Sequence, residues 1–522
     1  MLLFLVLLLN VKLVVKLAAL VLLFFARPNF RFGLRLQHTR LPLFYPLVIL
    51  LALLNAFLYQ TFFQLNYNVV LLFGLGLWFA CLLASHQLKR VIETTDVYVI
   101  HRTLIVFFLL NTFVSAFQFV SIVLETGAIN PFRYQGNYQK YFISTGDYIK
   151  GLSFDTSTTN AAINAFGAVY FFEKRSWLML LVCTTTLLFT GSNLANVLLY
   201  FTFFMLFLFR SSREQKSFLV ICVALLVVFV TKISPQNNQY VANVMEEAFH
   251  LLPATQQKQK PQTDVRYLPD EQLTTVQRKE KISKLYLDSL RLAIAKRIEQ
   301  HSPTFATYLW SAEKQVIPVP NIHSAPFQNR DDTNVYRREL LAFIAGNSQY
   351  QFLDSHYAHS SLPGKLMATS QTSHYLRQHP LYFFTGTGLG NFSSKVAFKA
   401  TALQVAGGFP QQLAYIHPSF AANHLSLYIY FFSKRANAHS IINTPNSVYD
   451  QLLSEYGLVG FIGFIVLYVG FFARHYQRLT YGIPLLALLL GFFFMDYWFE
   501  QLSIVVLFEL LLFLNLKETV HT

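Results

Sequence analysis

The chain has 522 residues, 54% of them hydrophobic and only 13% charged, with 53 Phe and a net charge of +15. A soluble domain carries about 25% charged residues, so the composition excludes a large water-soluble enzyme and points to an all-α integral membrane protein. Cys81, Cys183 and Cys222 all lie in apolar stretches, which excludes a disulfide framework.

About eleven apolar segments (ten to twelve) approach the roughly 20 residues that a membrane-crossing helix needs. They lie near 2–26, 41–63, 66–86, 103–125, 156–173, 176–191, 194–209, 216–233, 456–473, 481–497 and 500–516. The first lacks a basic n-region and a small-residue cleavage site, so a span is expected there rather than a signal peptide. The pairs 176–191/194–209 and 481–497/500–516 are short and close together, each either one bent helix or a tight hairpin. The segments divide the chain into an N-terminal bundle over 1–233, a polar loop domain over 234–447 and a C-terminal set of helices over 448–522.

Basic residues occur in every second loop: Arg27 to Arg40, Lys89 to Arg102, Lys174 and Arg175, Arg210 to Lys216, and Arg474 and Arg478. Lys and Arg collect on the cytoplasmic side, so this parity predicts an outside N-terminus, a cytoplasmic C-terminus and an outside polar insert. The same loops account for much of the net charge, which removes the argument for nucleic acid. A second outer loop spans about 126–155. The large insert holds 20 Lys and Arg, 13 Asp and Glu, and 10 of the 15 His. Such a surface above a membrane suits an anionic substrate such as a diphosphate. Within it, 270–300 reads as an amphipathic helix, and Lys365 to Gln378 as a second helix stopped at His379-Pro380. Lys395 and Lys399 sit at i,i+4 spacing on one face of a third.

Three stretches carry the motifs. Thr190-Gly191-Ser192-Asn193 breaks two apolar halves. Gly364-Lys365 leads through a helix to Gly386-x-Gly388-x-Gly390-Asn391-Phe392, which follows no strand and is not a dinucleotide loop. Asn446 to Gly460, with Tyr449 and Glu455, runs directly into the next span. Taken singly, Glu455 reads as an anchor, Gly457, Gly460 and Gly463 as helix-packing residues, and Lys395/Lys399 as a solvated face. No cluster of metal ligands occurs.

In this order, and together with the run from Lys150 to Ala162, these stretches resemble the O-antigen ligase/polymerase superfamily of bacterial polysaccharide assembly. The resemblance covers most of the chain in topology and about seventy residues in motif. It implies a GT-C-like membrane bundle in the bacterial inner membrane with a large, mainly helical periplasmic loop. It also implies a metal-independent, cofactor-free transfer of a glycan from undecaprenyl diphosphate to an acceptor sugar hydroxyl. The acceptor is lipid A-core for a ligase and a growing polysaccharide for a polymerase.

The chain departs from the family pattern at three positions. Asn446 stands where the family has His, while Lys365 and Asn193 stand where it has Arg. Asn cannot act as a general base near neutral pH, and Lys neutralises phosphate without the bidentate fork of Arg. The expected site therefore draws on His439 or His424 as base near Asn446. Lys365, Lys395, Lys399 and Arg435 would meet diphosphate, with Tyr449, Glu455 and Asn193 around it. A lipid-linked sugar transporter or a non-catalytic assembly partner is the competing class. Lys12 and Lys16 in the first segment have no place in the scheme.

Overall fold

A computed structural model describes residues 12–26, 41–133, 145–234, 363–402, 408–431 and 441–521 except 478, with scattered positions in 5–9 and 266–285. All regular structure among them is helical. The N-terminal bundle contains α1 (Leu13–Ala26), α2 (Phe44–Leu58), α3 (Leu65–Thr94), α4 (Val97–Thr126), α5 (Ser157–Glu173), α6 (Trp177–Phe189), α7 (Asn193–Phe209) and α8 (Arg213–Val228). The described part of the insert holds α9 (Gly364–Gln378), α10 (Pro380–Thr385), α11 (Lys395–Ala400), α12 (Pro418–Asn423) and α13 (Leu425–Phe431). Then come α14 (Val448–Gly463), continued to Ala473, α15 (Gly482–Phe493), α16 (Trp498–Gln501) and α17 (Ser503–His521).

A helix overlaps every apolar segment read from the sequence. Four helices, over Leu65–Thr94, Val97–Thr126, Arg213–Ile233 and Val448–Ala473, are long and apolar enough to cross a membrane. The paired segments are separate helices joined by breaks, not single bent ones: Thr190–Ser192 divides α6 from α7, and 494–502 divides α15 from α17. Helix ends follow local chemistry. Ser212 and Gln215 form a reciprocal capping box at the start of α8, and Asp96 accepts the Tyr98 N–H at the start of α4. Of the helix expected over 270–300, most lies outside the described residues.

A large aromatic-rich core ties most of the helices together. Phe44 and Tyr45 of α2, Trp78 of α3, Phe464 and Tyr468 beyond α14, and Phe499 of α16 are buried and pack ring against ring, edge to face for Phe44 on Trp78 and Phe464 and tilted for Phe499 on Phe44 and Trp78. Contacts at the two ends of the bundle sort the loops into two sets. At one end Lys174 pairs with Glu518 at 2.7 Å, Arg210 with Glu173 at 3.8 Å, and Lys517 donates to the Thr95 carbonyl at 2.7 Å. These are the basic loops of the parity reading together with the C-terminal helix. At the other end, Lys365 of the insert donates to the Met495 carbonyl of the 494–502 connection at 2.8 Å, and the charges of Asp496 and Asp155 both act on Lys395.

Several buried polar groups are paired inside this bundle. Lys16 reaches from α1 to the Gln501 carbonyl at 2.9 Å and to the Ser503 hydroxyl, which places one of the two unassigned lysines. Asn160 of α5 accepts from Asn111 of α4 at 2.7 Å and donates to the Ile149 carbonyl at 3.0 Å. The Lys150–Ala162 stretch thus fastens the 126–155 loop to the helices.

Candidate functional site

The site is built where the glycine turn wraps the start of α14. That helix breaks at Gly457 (φ 65°, ψ −169°). A break frees carbonyls that would otherwise accept from the next turn. The Ser454 carbonyl accepts from the Thr387 N–H at 2.9 Å and the Glu455 carbonyl from the Gly388 N–H at 3.1 Å. Gly386, Gly388 and Gly390 all have positive φ, which lets the turn approach so closely.

Glu455 completes the clasp. Its carboxylate accepts from the backbone N–H groups of Gly390 (2.9 Å), Phe392 (3.3 Å), Ser393 (3.2 Å) and Ser394 (3.0 Å). It is fully buried, so it holds the turn and is not a surface anchor. Ser394 then caps α11 by accepting the Ala397 N–H at 3.1 Å, which fixes where Lys395 and Lys399 begin.

The two lysines are half-buried, and no hydrogen-bond or ion-pair partner reaches either among the described residues. Burial pushes Lys395 down, but the fields of Asp496, Asp155 and Glu500 outweigh it and raise its pKa. Lys399 is lowered, by burial and then by the like charge of Lys395. The pair is a concentrated positive charge set beside carboxylates that are themselves engaged. Asp496 accepts from Asn446 Nδ2 (3.1 Å), the Tyr497 N–H (2.8 Å) and Gln501 Nε2 (2.6 Å), and Glu500 accepts from Gln451 Nε2 at 2.8 Å. Between Ser394, Gln451, Glu455 and Glu500 lies a cavity with room for roughly one water.

Lys365 is placed differently from the expectation that it meets phosphate. Its ammonium donates to Thr444 Oγ1 at 2.9 Å, the Met495 carbonyl at 2.8 Å and the Asn446 carbonyl, which uses all three of its N–H groups inside the protein. Burial brings it down to about 7 against the opposing fields of Asp496 and Asp450. It joins α9, the start of α14 and the 494–502 connection.

His424 Nε2 meets Asp450 Oδ2 at 3.0 Å, with both side chains buried and Phe392 packed on the imidazole at 4.9 Å. The ring belongs to the same cluster. Four residues on, Tyr428 donates to the Ser393 carbonyl at 3.1 Å and stacks on Phe398 of α11 at 4.4 Å. Tyr449 gives its hydroxyl to the Leu490 carbonyl at 2.6 Å and packs among Phe461, Phe464 and Phe493. Asn193 starts α7, after a Thr190–Gly191 break that lies against Gly146. His439 and Arg435 lie outside the described residues.

The structure thus brings together Lys365, Lys395, Lys399, His424, Asn446 and Glu455, and adds Asp450, Asp496 and Glu500. Sequence reasoning passed over these three acids. Their signal is an acidic residue at the end of an apolar segment, where an ionisable group is costly unless it has a function or a partner. No family model, no curated protein and no solved structure matches this chain.

Proposed function

We propose that this chain crosses a bacterial inner membrane about eleven times with its insert on the periplasmic side, and that it transfers a glycan from undecaprenyl diphosphate to an acceptor sugar hydroxyl, as an O-antigen ligase does. One observation carries the reading. Lys395 and Lys399 stand one helical turn apart with no hydrogen-bond or ion-pair partner among the described residues, at the end of the bundle where the insert, the 126–155 loop and the 494–502 connection meet. A diphosphate leaving group gathers negative charge as the glycosidic bond breaks, and preorganised cations there lower the barrier. The order of motifs along the chain supports the same reading.

In this scheme Lys395 and Lys399 hold the diphosphate. Lys365, whose donors are spent, holds the site together, and His424 accepts the proton of the attacking hydroxyl. Asn446 orients Asp496. Membrane topology follows the loop charges, with the C-terminus cytoplasmic.

The test is a proteoliposome assay with undecaprenyl-diphosphate-linked glycan and lipid A-core as acceptor. A single transfer supports a ligase, and a ladder of products makes the chain a polymerase of the same superfamily. Movement of donor across the bilayer without transfer makes it a transporter. The absence of both transfer and movement removes the enzymatic reading.

A further inference from the structure

The insert is polar, yet it contains a run without charge: no Asp, Glu, Lys or Arg occurs between Arg377 and Lys395. The apolar helix α10 lies in that run and turns two large side chains outward, Leu381 at 64% and Phe384 at 54% exposure. At i,i+3 spacing they share one face. The corner over 57–65, between α2 and α3, lies in a second charge-free run, from Arg40 to Lys89. Its Phe57, Phe63 and Leu65 are 78%, 87% and 77% exposed. Single exposed apolar side chains are ordinary, whereas a contiguous group of them marks a surface that meets a partner or a membrane.

The two segments lie side by side. Asn55 Nδ2 donates to the Thr385 carbonyl at 2.7 Å, the Tyr59 and Thr385 hydroxyls are hydrogen-bonded, and the Tyr59 ring meets Tyr382 edge to face at 5.0 Å. Their depth follows from the helices that they touch. A Cβ on Gly457 would lie 2.4 Å from the Phe384 carbonyl oxygen, so α10 ends against the break in α14. The stretch Val448–Ala473 is apolar enough to cross a membrane and is followed by the basic Arg474. Counted back from Arg474, the roughly 20 residues that cross the hydrocarbon core reach Ser454. Gly457 and α10 therefore lie level with one edge of that core, and Leu65, the first residue of the crossing helix α3, marks the same edge. A protein or glycan partner would meet a patch standing clear of the bilayer, and this one is level with its edge.

We infer that α10 and the 57–65 corner form one interfacial anchor, seated in the lipid leaflet on the side of the insert. Leu381, Phe384 and Phe63 enter the acyl boundary, and Tyr59 and Tyr382 lie at headgroup level, where tyrosine collects. The inference rests on the membrane-crossing part of the reading above and not on glycan transfer. Because α10 runs directly into the glycine turn, the anchor sets the depth of that turn. Glu455 holds the turn through Ser394, which caps the helix of Lys395 and Lys399, so the anchor sets the depth of the two lysines as well.

The experiment uses the full chain in liposomes of phosphatidylethanolamine and phosphatidylglycerol, with one nitroxide per variant on Phe63→Cys, Leu381→Cys or Phe384→Cys. All three positions are exposed, so the label need not disturb the core, and any one that fails to fold leaves two others. Cys81, Cys183 and Cys222 are buried and take up little label. Leu72→Cys, exposed on α3, is the lipid reference, and Asp155→Cys, exposed in the 126–155 loop, is the water reference. Collision rates with oxygen, which concentrates in lipid, and with a water-soluble nickel chelate give the depth of each label. The three labels should favour oxygen as Leu72 does and lie roughly 5–10 Å below the phosphate level. Collisions at 381 and 384 dominated by the chelate, with Leu72 in lipid, overturn the inference. Suppression of those chelate collisions by an added glycan would also overturn it, by assigning the patch to sugar. Chelate-dominated collisions at Leu72 remove the membrane-crossing reading as well.

Discussion

Gly457 of α14 and Gly386 of the glycine turn lie back to back. A Cβ on Gly457 would fall 2.4 Å from the Phe384 carbonyl oxygen, and one on Gly386 would fall 2.3 Å from the Glu455 carbonyl. Both have positive φ, so side chains there meet backbone strain and backbone atoms at once. This contact seats the glycine turn of the insert against the start of α14. G457A and G386A are each expected to lose about 1–3 kcal/mol from strain alone. Thermal unfolding in detergent checks this, with Gly76→Ala as the control, since that position has open space around it.

Glu455 acts by geometry. In Glu455→Gln one oxygen becomes an NH₂ that cannot accept. Oε1 already serves three N–H groups and Oε2 serves Gly390. The amide would keep the oxygen on the triple side and face Gly390 with a donor. We expect a loss of about 1–3 kcal/mol, and a larger one for Glu455→Ala, which orphans all four. Limited proteolysis of the glycine turn, alongside melting, measures the loosening.

Lys365 gives the site a pH signature. Its folded value near 7 lies below the ordinary 10.5. Between those values the unfolded chain binds the proton and the folded one releases it, so this residue makes stability rise with pH across the window and fall as pH drops toward 7. Melting from pH 7 to 9 should show the rise, and K365M should flatten it. K365M should also be less stable throughout, because Thr444 Oγ1 and the Asn446 and Met495 carbonyls lose their donor.

Much of the frame was legible because apolar length and loop charge are local properties. The helix over Gly364–Gln378 and its stop at His379-Pro380 follow from propensity and from proline's missing N–H. The site was legible only in part. Lys395 and Lys399 show as an i,i+4 pair, yet nothing local says that no partner reaches them. Glu455 accepts hydrogen bonds from residues more than sixty positions away, and Lys16 donates to one nearly five hundred away. Such pairings follow from how helices pack, which the sequence pattern of either partner does not encode.

Topology has its own test. Asp155→Cys should react with a membrane-impermeant maleimide added to the periplasmic side, and Ser211→Cys only after the membrane is opened. Cys81, Cys183 and Cys222 are buried and give little background. The reverse labelling pattern would invert the orientation.

The most direct measurement is donor-dependent glycan transfer by wild type and by the K395A/K399A double variant in proteoliposomes. Neither lysine holds a partner among the described residues. The variant should keep its fold with some loss of melting temperature, because the fields of Asp496, Asp155 and Glu500 favour the Lys395 charge, while losing transfer by at least about 10²-fold, the scale of a lost transition-state contact. Transfer by the variant at the wild-type rate, or none by wild type, would contradict the account.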